Sequence, residues 1–290
     1  MTALDATTSV PLFSLDEDLS VLDEPATVES AVVETALVEP VVIDAVVLEA
    51  VVIDAVVIDA VAVPVWCERL GVFDLETTGI DIETSRIVSA HVGILDSTGA
   101  LVERWDWLAD PGIEIPEQAT AVHGISTERA RAEGRPAGEV VAEIVAALNS
   151  LVARDIPITI YNAPYDLSLL NREALRHGVV PLADPSPVID PLVLDKAVDR
   201  YRKGKRTLEV AALYYGVDLT DAHDAAADAV AAGRVAQAIA HRYRDEIAIE
   251  PAQLHLLQIG WFAEQAASFE DYMRRTRDPG FSASQAWPQR

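Results

Sequence analysis

The stretch that decides the fold of this chain is Phe73–Gly79, which reads FDLETTG. With the residues before it, it predicts a β-strand at Arg69–Leu75 and a turn at Thr77-Thr78-Gly79. Asp74 and Glu76 lie two positions apart, so a strand directs both carboxylates to the same face. Burying two acids is unfavourable unless a cation compensates, and hard divalent cations prefer carboxylate oxygens. For this pair alone, ordinary solvated acids at a strand end are the alternative.

The residues downstream predict a mixed sheet. Ile87–Leu95 and Leu101–Leu108 read as two further strands, joined by a turn at Ser97-Thr98-Gly99. Strands then alternate with helices, which predicts an α/β fold with helices on both faces of the sheet. The predicted strands are Ile156–Tyr161 and Val188-Ile189, and the predicted helices are Glu139–Val152, Asn162 to about His177, Leu208–Tyr215 and Asp224–Tyr243.

A second candidate motif follows the strand at Ile156–Tyr161. Asn162-Ala163-Pro164 opens a helix and places Asp166 in its first turn. The carboxyl ends of strands are where α/β proteins bind ligands. An acid that only stabilises the helix dipole is the alternative.

A third motif is His223-Asp224-Ala225-Ala226-Ala227-Asp228. His223 precedes or opens a helix, and Asp228 lies inside that helix. A histidine with an ordinary pKa can accept a proton from water near neutral pH, and a nearby aspartate can bind a metal. An exposed histidine near a helix cap is the alternative.

Taken together, the motifs supply four carboxylates and one imidazole, which is what phosphodiester hydrolysis with two divalent cations needs. Such cations lie roughly 3.5–4 Å apart, activate water and stabilise the departing oxygen. The sequence therefore predicts two Mg²⁺ (or Mn²⁺) ions.

The three motifs resemble those of the DEDDh exonucleases, the DnaQ-like group that includes the proofreading epsilon subunit of bacterial DNA polymerase III. The resemblance covers about Leu70 to Tyr243, and motif order, spacing and flanking apolar residues agree. It implies a ribonuclease H-like fold with a three-stranded meander followed by βα units. It also implies His223 as general base and four metal ligands: Asp74, Glu76, Asp166 and Asp228.

The resemblance extends to substrate contacts around the 3′-terminal nucleotide. The expected positions are Leu75, Thr77, Thr78, Gly79, His123, Asn162 and Tyr165. His123 lies in Ala121–Ile125, which resembles a substrate-contacting loop of the family. Two positions depart from the family: Tyr161 stands where histidine is frequent, and Tyr165 where phenylalanine is frequent. Neither departure removes a metal ligand.

Composition divides the chain into three parts. Residues 1–64 contain 13 acids and no Lys or Arg, with a pentad repeat (VVIDA, VVLEA) from Val41, and predict a disordered acidic arm. Residues 65–245 form the predicted exonuclease domain, and 246–290 a helical C-terminal extension with a strong helical pattern at Leu254–Tyr272. The net charge of −25 does not exclude a nucleic-acid partner where cations and a local basic patch face the substrate.

Further features bear on location and partners. The single cysteine, Cys67, excludes a disulfide framework and suits a reducing compartment. The first residues lack the basic region of a signal peptide, and no uninterrupted apolar run is long enough to span a bilayer. We therefore expect a cytoplasmic protein without a membrane partner.

Two segments are candidate contact surfaces. A basic cluster between the second and third motifs either touches the phosphate backbone or is a solvated loop; it comprises Arg200, Arg202, Lys203, Lys205 and Arg206. Gln253–Leu257 loosely resembles peptides that dock on the sliding clamp, but leucines in such a helix are more often core-facing.

These observations leave several functions open. The leading hypothesis is a 3′→5′ exonuclease that releases nucleoside 5′-monophosphates from DNA 3′ ends, alone or with a DNA polymerase. An exoribonuclease would use the same catalytic residues, because contacts to the 2′-hydroxyl distinguish the sugars. A non-catalytic module that binds nucleic-acid ends is a further alternative, although all five catalytic positions are filled.

Overall fold

The computed structural model describes residues 64–220 and 222–290. Six strands lie within these residues: β1 (Arg69–Thr77), β2 (Ile87–Asp96), β3 (Leu101–Asp110), β4 (Arg135–Pro136), β5 (Ile158–Thr159) and β6 (Val188–Ile189). They form one sheet in the order β4-β3-β2-β1-β5-β6. β1, β2 and β3 are antiparallel neighbours, whereas β5 is parallel to β1 and β6 is parallel to β5. The predicted meander followed by βα units is confirmed.

The helices of the described chain are α1 (Glu117–His123), α2 (Thr127–Glu133), α3 (Ala137–Ala153), α4 (Ala163–Arg176), α5 (Pro191–Val198), α6 (Leu208–Tyr215), α7 (Ala225–Arg242), α8 (Arg244–Ile247) and α9 (Pro251–Thr276). They cover both faces of the sheet. Successive side chains of β1 point to opposite faces and therefore contact different helices. Phe73 joins a core cluster with Ile144 of α3 and Leu167 of α4. Val72 joins another with Ala229 of α7. No described helix has the length and apolarity that a bilayer span requires.

Two short helices replace the loop expected around His123. α1 ends at His123, and Gly124 closes it with a φ of 73°, a left-handed conformation that favours glycine. α2 begins after Ser126, whose side chain caps the amide of Arg129. The sequence did not reveal α1 because it contains no buried residue and therefore lacks an apolar stripe.

Strand lengths also differ from the predictions. β1 continues to Thr77 because its pairing with β2 extends to Ile87. The strand expected at Ile156–Tyr161 is shorter: β5 contains only Ile158 and Thr159, although Pro157 and Ile160 also form backbone hydrogen bonds to the neighbouring strands.

The predicted C-terminal helix is confirmed and is longer than expected. It packs on the sheet: Phe262 and Ala266 of α9 are buried in the same cluster as Phe73 of β1. The domain boundary at residue 245 stays a prediction. The acidic arm and its pentad repeat lie outside the described residues, except for Pro64.

Candidate active site

Three carboxylates meet at the carboxyl end of β1. Asp74 and Glu76 lie on one face of β1, and Asp228 lies in the first turn of α7, which packs on that face. One oxygen from each can be chosen so that all three lie within 4.8 Å of one another. Asp228 Oδ1 is buried without a hydrogen-bond partner among the described residues. Clustered hard oxygen donors with an unsatisfied acceptor fit a divalent cation.

Asp166 lies beside this trio and is not part of it. It occupies the first turn of α4, as predicted, and is 4% exposed. Its charge raises the pKa values of Asp74 and Glu76, which places it within electrostatic reach of both. Burial raises the pKa of Asp166 to about 8, against the opposing effect of hydrogen bonds from the backbone of Asp166 and Leu75. Leu75 therefore contributes its backbone to the site.

Burial and mutual repulsion raise the pKa values of the trio. Burial is the larger cause for Asp74, whose pKa lies well above its ordinary range, and repulsion by Asp166 follows. Burial and the charge of Asp228 raise the pKa of Glu76 to about 8. Burial likewise raises the pKa of Asp228 to about 6, although the His223 amide opposes this rise. Such shifts are typical of sites whose charges are completed by a bound cation.

His223 lies directly before α7 in a left-handed conformation, with a φ of 69°. Its backbone N–H donates to Asp228 Oδ2 at 3.2 Å, which joins it to the carboxylate trio. The imidazole is exposed, and Nε2 lies 3.6 Å from Glu209 Oε1 at the start of α6. Asp224, not His223, caps α7 by accepting from the amides of Ala226 and Ala227.

The turn after β1 is closed by hydrogen bonds among predicted substrate-binding residues. The Thr77 and Tyr165 hydroxyls lie 2.7 Å apart, and Thr77 Oγ1 lies 2.7 Å from the Gly79 carbonyl oxygen. The Tyr165 hydroxyl is also within hydrogen-bond distance of this carbonyl, so either hydroxyl can donate to it. Thr78 is buried, and its hydroxyl accepts from the amide of Arg86 at 3.0 Å, so its side chain is used within the turn.

His123 lies near the site, and Asn162 directly precedes the helix that carries Asp166. Burial lowers the pKa of His123, the Thr77 backbone opposes this effect, and the charge of His223 adds to it, so His123 lies near both residues. Its Nδ1 accepts from the amide of Ile125 at 3.2 Å. Asn162 precedes α4 with a φ of 64°, and its Oδ1 is buried without a partner in the described chain.

Asp190 contacts several segments of the chain. Its carboxylate caps α5 by accepting from the Leu192 amide at 3.0 Å. The same carboxylate accepts from the amides of Asn162 and Ala163, each at 3.0 Å, and from Trp287 Nε1 at 3.2 Å. Only the contact with Leu192 is local in sequence. The contacts with Asn162, Ala163 and Trp287 join remote segments and could not be predicted from the sequence.

The basic cluster is divided between the interior and the surface. Arg202 and Arg206 bind the fully buried Asp195, and the Arg206–Asp195 distance is 2.7 Å. Arg206 also contacts Tyr161: the Tyr161 hydroxyl donates to the Arg206 carbonyl at 2.6 Å. Arg200 is exposed, and a contact between this surface and phosphate stays a prediction.

The segment that resembles a clamp-binding peptide lies within α9. Leu254 is fully buried, whereas Leu256 and Leu257 are 66% and 40% exposed. Only Leu254 therefore has the core position expected for this helix, and a role in clamp docking stays a prediction.

Comparison with protein families settles the relationship. The sequence model of the RNase_T family, described as exonuclease, matches residues 72–236, which is more than half of the chain. The chain belongs to the RNase_T exonuclease family. The matched residues include all five positions predicted as metal ligands or general base.

Relatives place this RNase_T member among DnaQ-like exonucleases. It is 32% identical over 164 residues to the DNA polymerase III subunit epsilon-like protein of Rhodobacter capsulatus, covering 55% of this chain and 22% of the relative. It is 26% identical over 164 residues to the PolC-type DNA polymerase III of Pediococcus pentosaceus, covering 57% of this chain and 11% of the relative. The chain thus spans about a tenth to about a fifth of these relatives.

A solved structure agrees with the predicted fold. Escherichia coli exonuclease I in its zinc-bound complex with single-stranded DNA has a TM-score of 0.51 and 22% identity, with 61% of this chain and 41% of that chain covered. At this identity the likeness concerns the fold alone. The predicted ribonuclease H-like fold is confirmed.

Proposed function

We propose that this RNase_T member is a metal-dependent 3′→5′ exonuclease that removes nucleoside 5′-monophosphates from single-stranded DNA. The observation that carries the proposal is the meeting of Asp74, Glu76 and Asp228 oxygens within 4.8 Å, next to the backbone of His223. A carboxylate cluster without neutralising partners in the described chain is unfavourable unless cations bind it.

Divalent cations, two in this proposal, would be held by the trio together with Asp166. When bound, they would favour ionisation of water and stabilise negative charge on the phosphate oxygens. The protein's own part is to hold these carboxylates together, which burial beside β1 and α7 accomplishes. Exclusion of bulk water around Asp74 and Asp166 strengthens their attraction for a cation.

His223 would accept the proton of the attacking water at Nδ1, because Nε2 faces Glu209. Its exposed imidazole can reach a substrate at the surface, and the hydrogen bond from its amide to Asp228 holds it beside the carboxylates. Glu209, 3.6 Å from Nε2, would stabilise the protonated imidazole after transfer. The pair therefore has the form of a base and its orienting acid.

Action at the 3′ end is supported by the turn after β1 and by the family resemblance. The Thr77–Gly79 turn directly follows Glu76, His123 lies near Thr77 and His223, and Asn162 precedes the helix that carries Asp166. A terminal nucleotide would lie among these residues. Tyr165 would pack its ring on the sugar or base while its hydroxyl holds the turn.

The relatives favour DNA over RNA as the proposed substrate. One relative is a PolC-type DNA polymerase III, another is a DNA polymerase III subunit epsilon-like protein, and the exonuclease I structure contains single-stranded DNA. The same relatives make a DNA polymerase the partner class to test.

The test uses 5′-labelled DNA and RNA oligonucleotides with Mg²⁺ or Mn²⁺. We expect a ladder that shortens from the 3′ end, faster on DNA, and no cleavage in EDTA. Asp74→Asn should reduce the rate by about 10²-fold or more, because it removes a charge that the cations need. Thermal melting with and without Mn²⁺ should also lose its metal-dependent increase in this variant.

Asp155→Asn is the matched control, since Asp155 is an exposed turn residue with a φ of 55° that asparagine tolerates. Internal cuts would contradict the exonuclease proposal, and faster decay of RNA would assign it to exoribonucleases. Tight binding of oligonucleotide ends without turnover would indicate a non-catalytic module.

A further inference from the structure

The first turn of α4 is held by a group from elsewhere in the chain. A helix leaves its first amides without intrahelical partners, and Asn162 provides no side-chain cap here. The two carboxylate oxygens of Asp190 accept from the amides of Asn162 and Ala163 instead. Asp166 lies three residues beyond Ala163, so Asp190 fixes the turn that carries it.

Asp190 is itself held by the C-terminal segment. Trp287 Nε1 donates to Asp190 Oδ2 at 3.2 Å, and both side chains are buried. Gln258 of α9 is fully buried and accepts from the Asp190 amide at 2.7 Å. Its side-chain amide donates to the Val188 carbonyl at 2.9 Å, so α9 is hydrogen-bonded to β6, the last strand of the sheet.

The last residues then lie along α4. The Asn171 side-chain amide donates to Gln289 Oε1 at 2.7 Å, and the Arg290 amide donates to Ser168 Oγ at 2.8 Å. The indole of Trp287 also contacts the His255 ring, with 4.9 Å between ring centroids. These contacts join the C-terminal segment to the helix of Asp166 at several points.

We propose that Asp190, Trp287 and Gln258 form a positioning network that sets the place of Asp166 relative to the carboxylate trio. The network touches neither substrate nor cation, and it acts through the amides at the start of α4. The C-terminal segment is then part of the catalytic apparatus, in addition to any partner that it binds. This inference rests on the proposed function, because it assigns Asp166 to the cation site.

The test compares Trp287→Phe and Asp190→Asn with wild type. Trp287→Phe keeps an aromatic ring and removes the donor to Asp190. Asp190→Asn keeps one acceptor oxygen of two, so it loses part of the cap on α4. We expect Mn²⁺ affinity, measured by calorimetry, to fall by about tenfold to about a hundredfold, the range typical of groups that orient metal ligands.

Kinetics separate positioning from general loss of structure. The KM for the oligonucleotide should stay within about twofold, while kcat falls at limiting Mn²⁺ and recovers as Mn²⁺ is raised. Trp261→Phe is the control: Trp261 is a partly buried tryptophan of α9 whose indole is not among the described donors to Asp190. It should leave Mn²⁺ affinity within about twofold of wild type.

Wild-type Mn²⁺ affinity in both Trp287→Phe and Asp190→Asn would overturn the network. An equal loss in Trp261→Phe would also overturn it, since the effect would then be general packing. If wild type binds Mn²⁺ and cleaves no oligonucleotide, the proposed function fails, while calorimetry on the same variants still decides the positioning role.

Discussion

Glu76→Gln should stabilise the cation-free protein while abolishing activity. In the folded chain, burial and the charge of Asp228 raise the pKa of Glu76 to about 8, from an ordinary value of 4.5. The folded state therefore holds the Glu76 proton at pH values where the unfolded chain has lost it. Glutamine carries no charge at any pH, so the folded variant avoids the free-energy cost of burying a carboxylate beside Asp228.

The magnitude follows from linkage between proton binding and folding. One pH unit corresponds to about 1.4 kcal/mol, so the difference between 4.5 and about 8 limits the effect to about 5 kcal/mol. Because the folded-state pKa is raised, this destabilisation of wild type grows as the pH rises from about 4.5 to about 8. The expected advantage of Glu76→Gln in free energy of unfolding is about 1 kcal/mol at pH 5 and approaches about 5 kcal/mol at pH 9.

The assay is urea unfolding followed by circular dichroism in EDTA, at pH values between 5 and 9. The difference between variant and wild type at each pH isolates Glu76 from the general repulsion of a chain with a net charge of −25. Glu114→Gln is the control, since Glu114 is an exposed glutamate between α1 and β3. Saturating Mn²⁺ should reverse the order, because only wild type gains the full free energy of cation binding.

Two results would refute this reasoning. The first is a Glu76→Gln protein that is less stable than wild type at pH 9 in EDTA. The second is an advantage that does not grow with pH. Either result would mean that Glu76 is satisfied in the folded protein without a cation, and the cation site would lose its electrostatic basis.

Three other predictions follow from the geometry. His223→Ala should lower kcat by about 10² to 10⁴ and leave the melting temperature unchanged, because the imidazole is exposed; His241→Ala, at the far end of α7, is the control. Cys67, whose pKa burial raises to about 12, should react with a thiol reagent only on unfolding; rapid labelling of folded protein would contradict its burial. Arg200→Glu should raise the KM for a long oligonucleotide more at low salt than at high salt, with kcat unchanged; a KM independent of salt would exclude phosphate contact by this surface.

Local patterns determined the elements that carry the site. Alternation along β1 placed Asp74 and Glu76 on one face, because successive side chains of a strand point to opposite sides. Helix signals placed Asp166 in the first turn of α4 and Asp228 inside α7. Together with the family resemblance, these local signals were enough to predict the ribonuclease H-like sheet.

Distances between remote segments were decided by the tertiary structure alone. The packing of α7 on β1 brings Asp228 to Asp74 and Glu76, while the capped start of α4 leaves Asp166 beside the trio and not within it. The position of Asp190 before a proline is typical of a local helix cap. Its contacts with Asn162 and Trp287, which are remote in sequence, are defined only by the tertiary structure. Periodicity records which way a side chain points from its own strand or helix. Which atoms it meets depends on how those elements pack, and no local pattern contains that information.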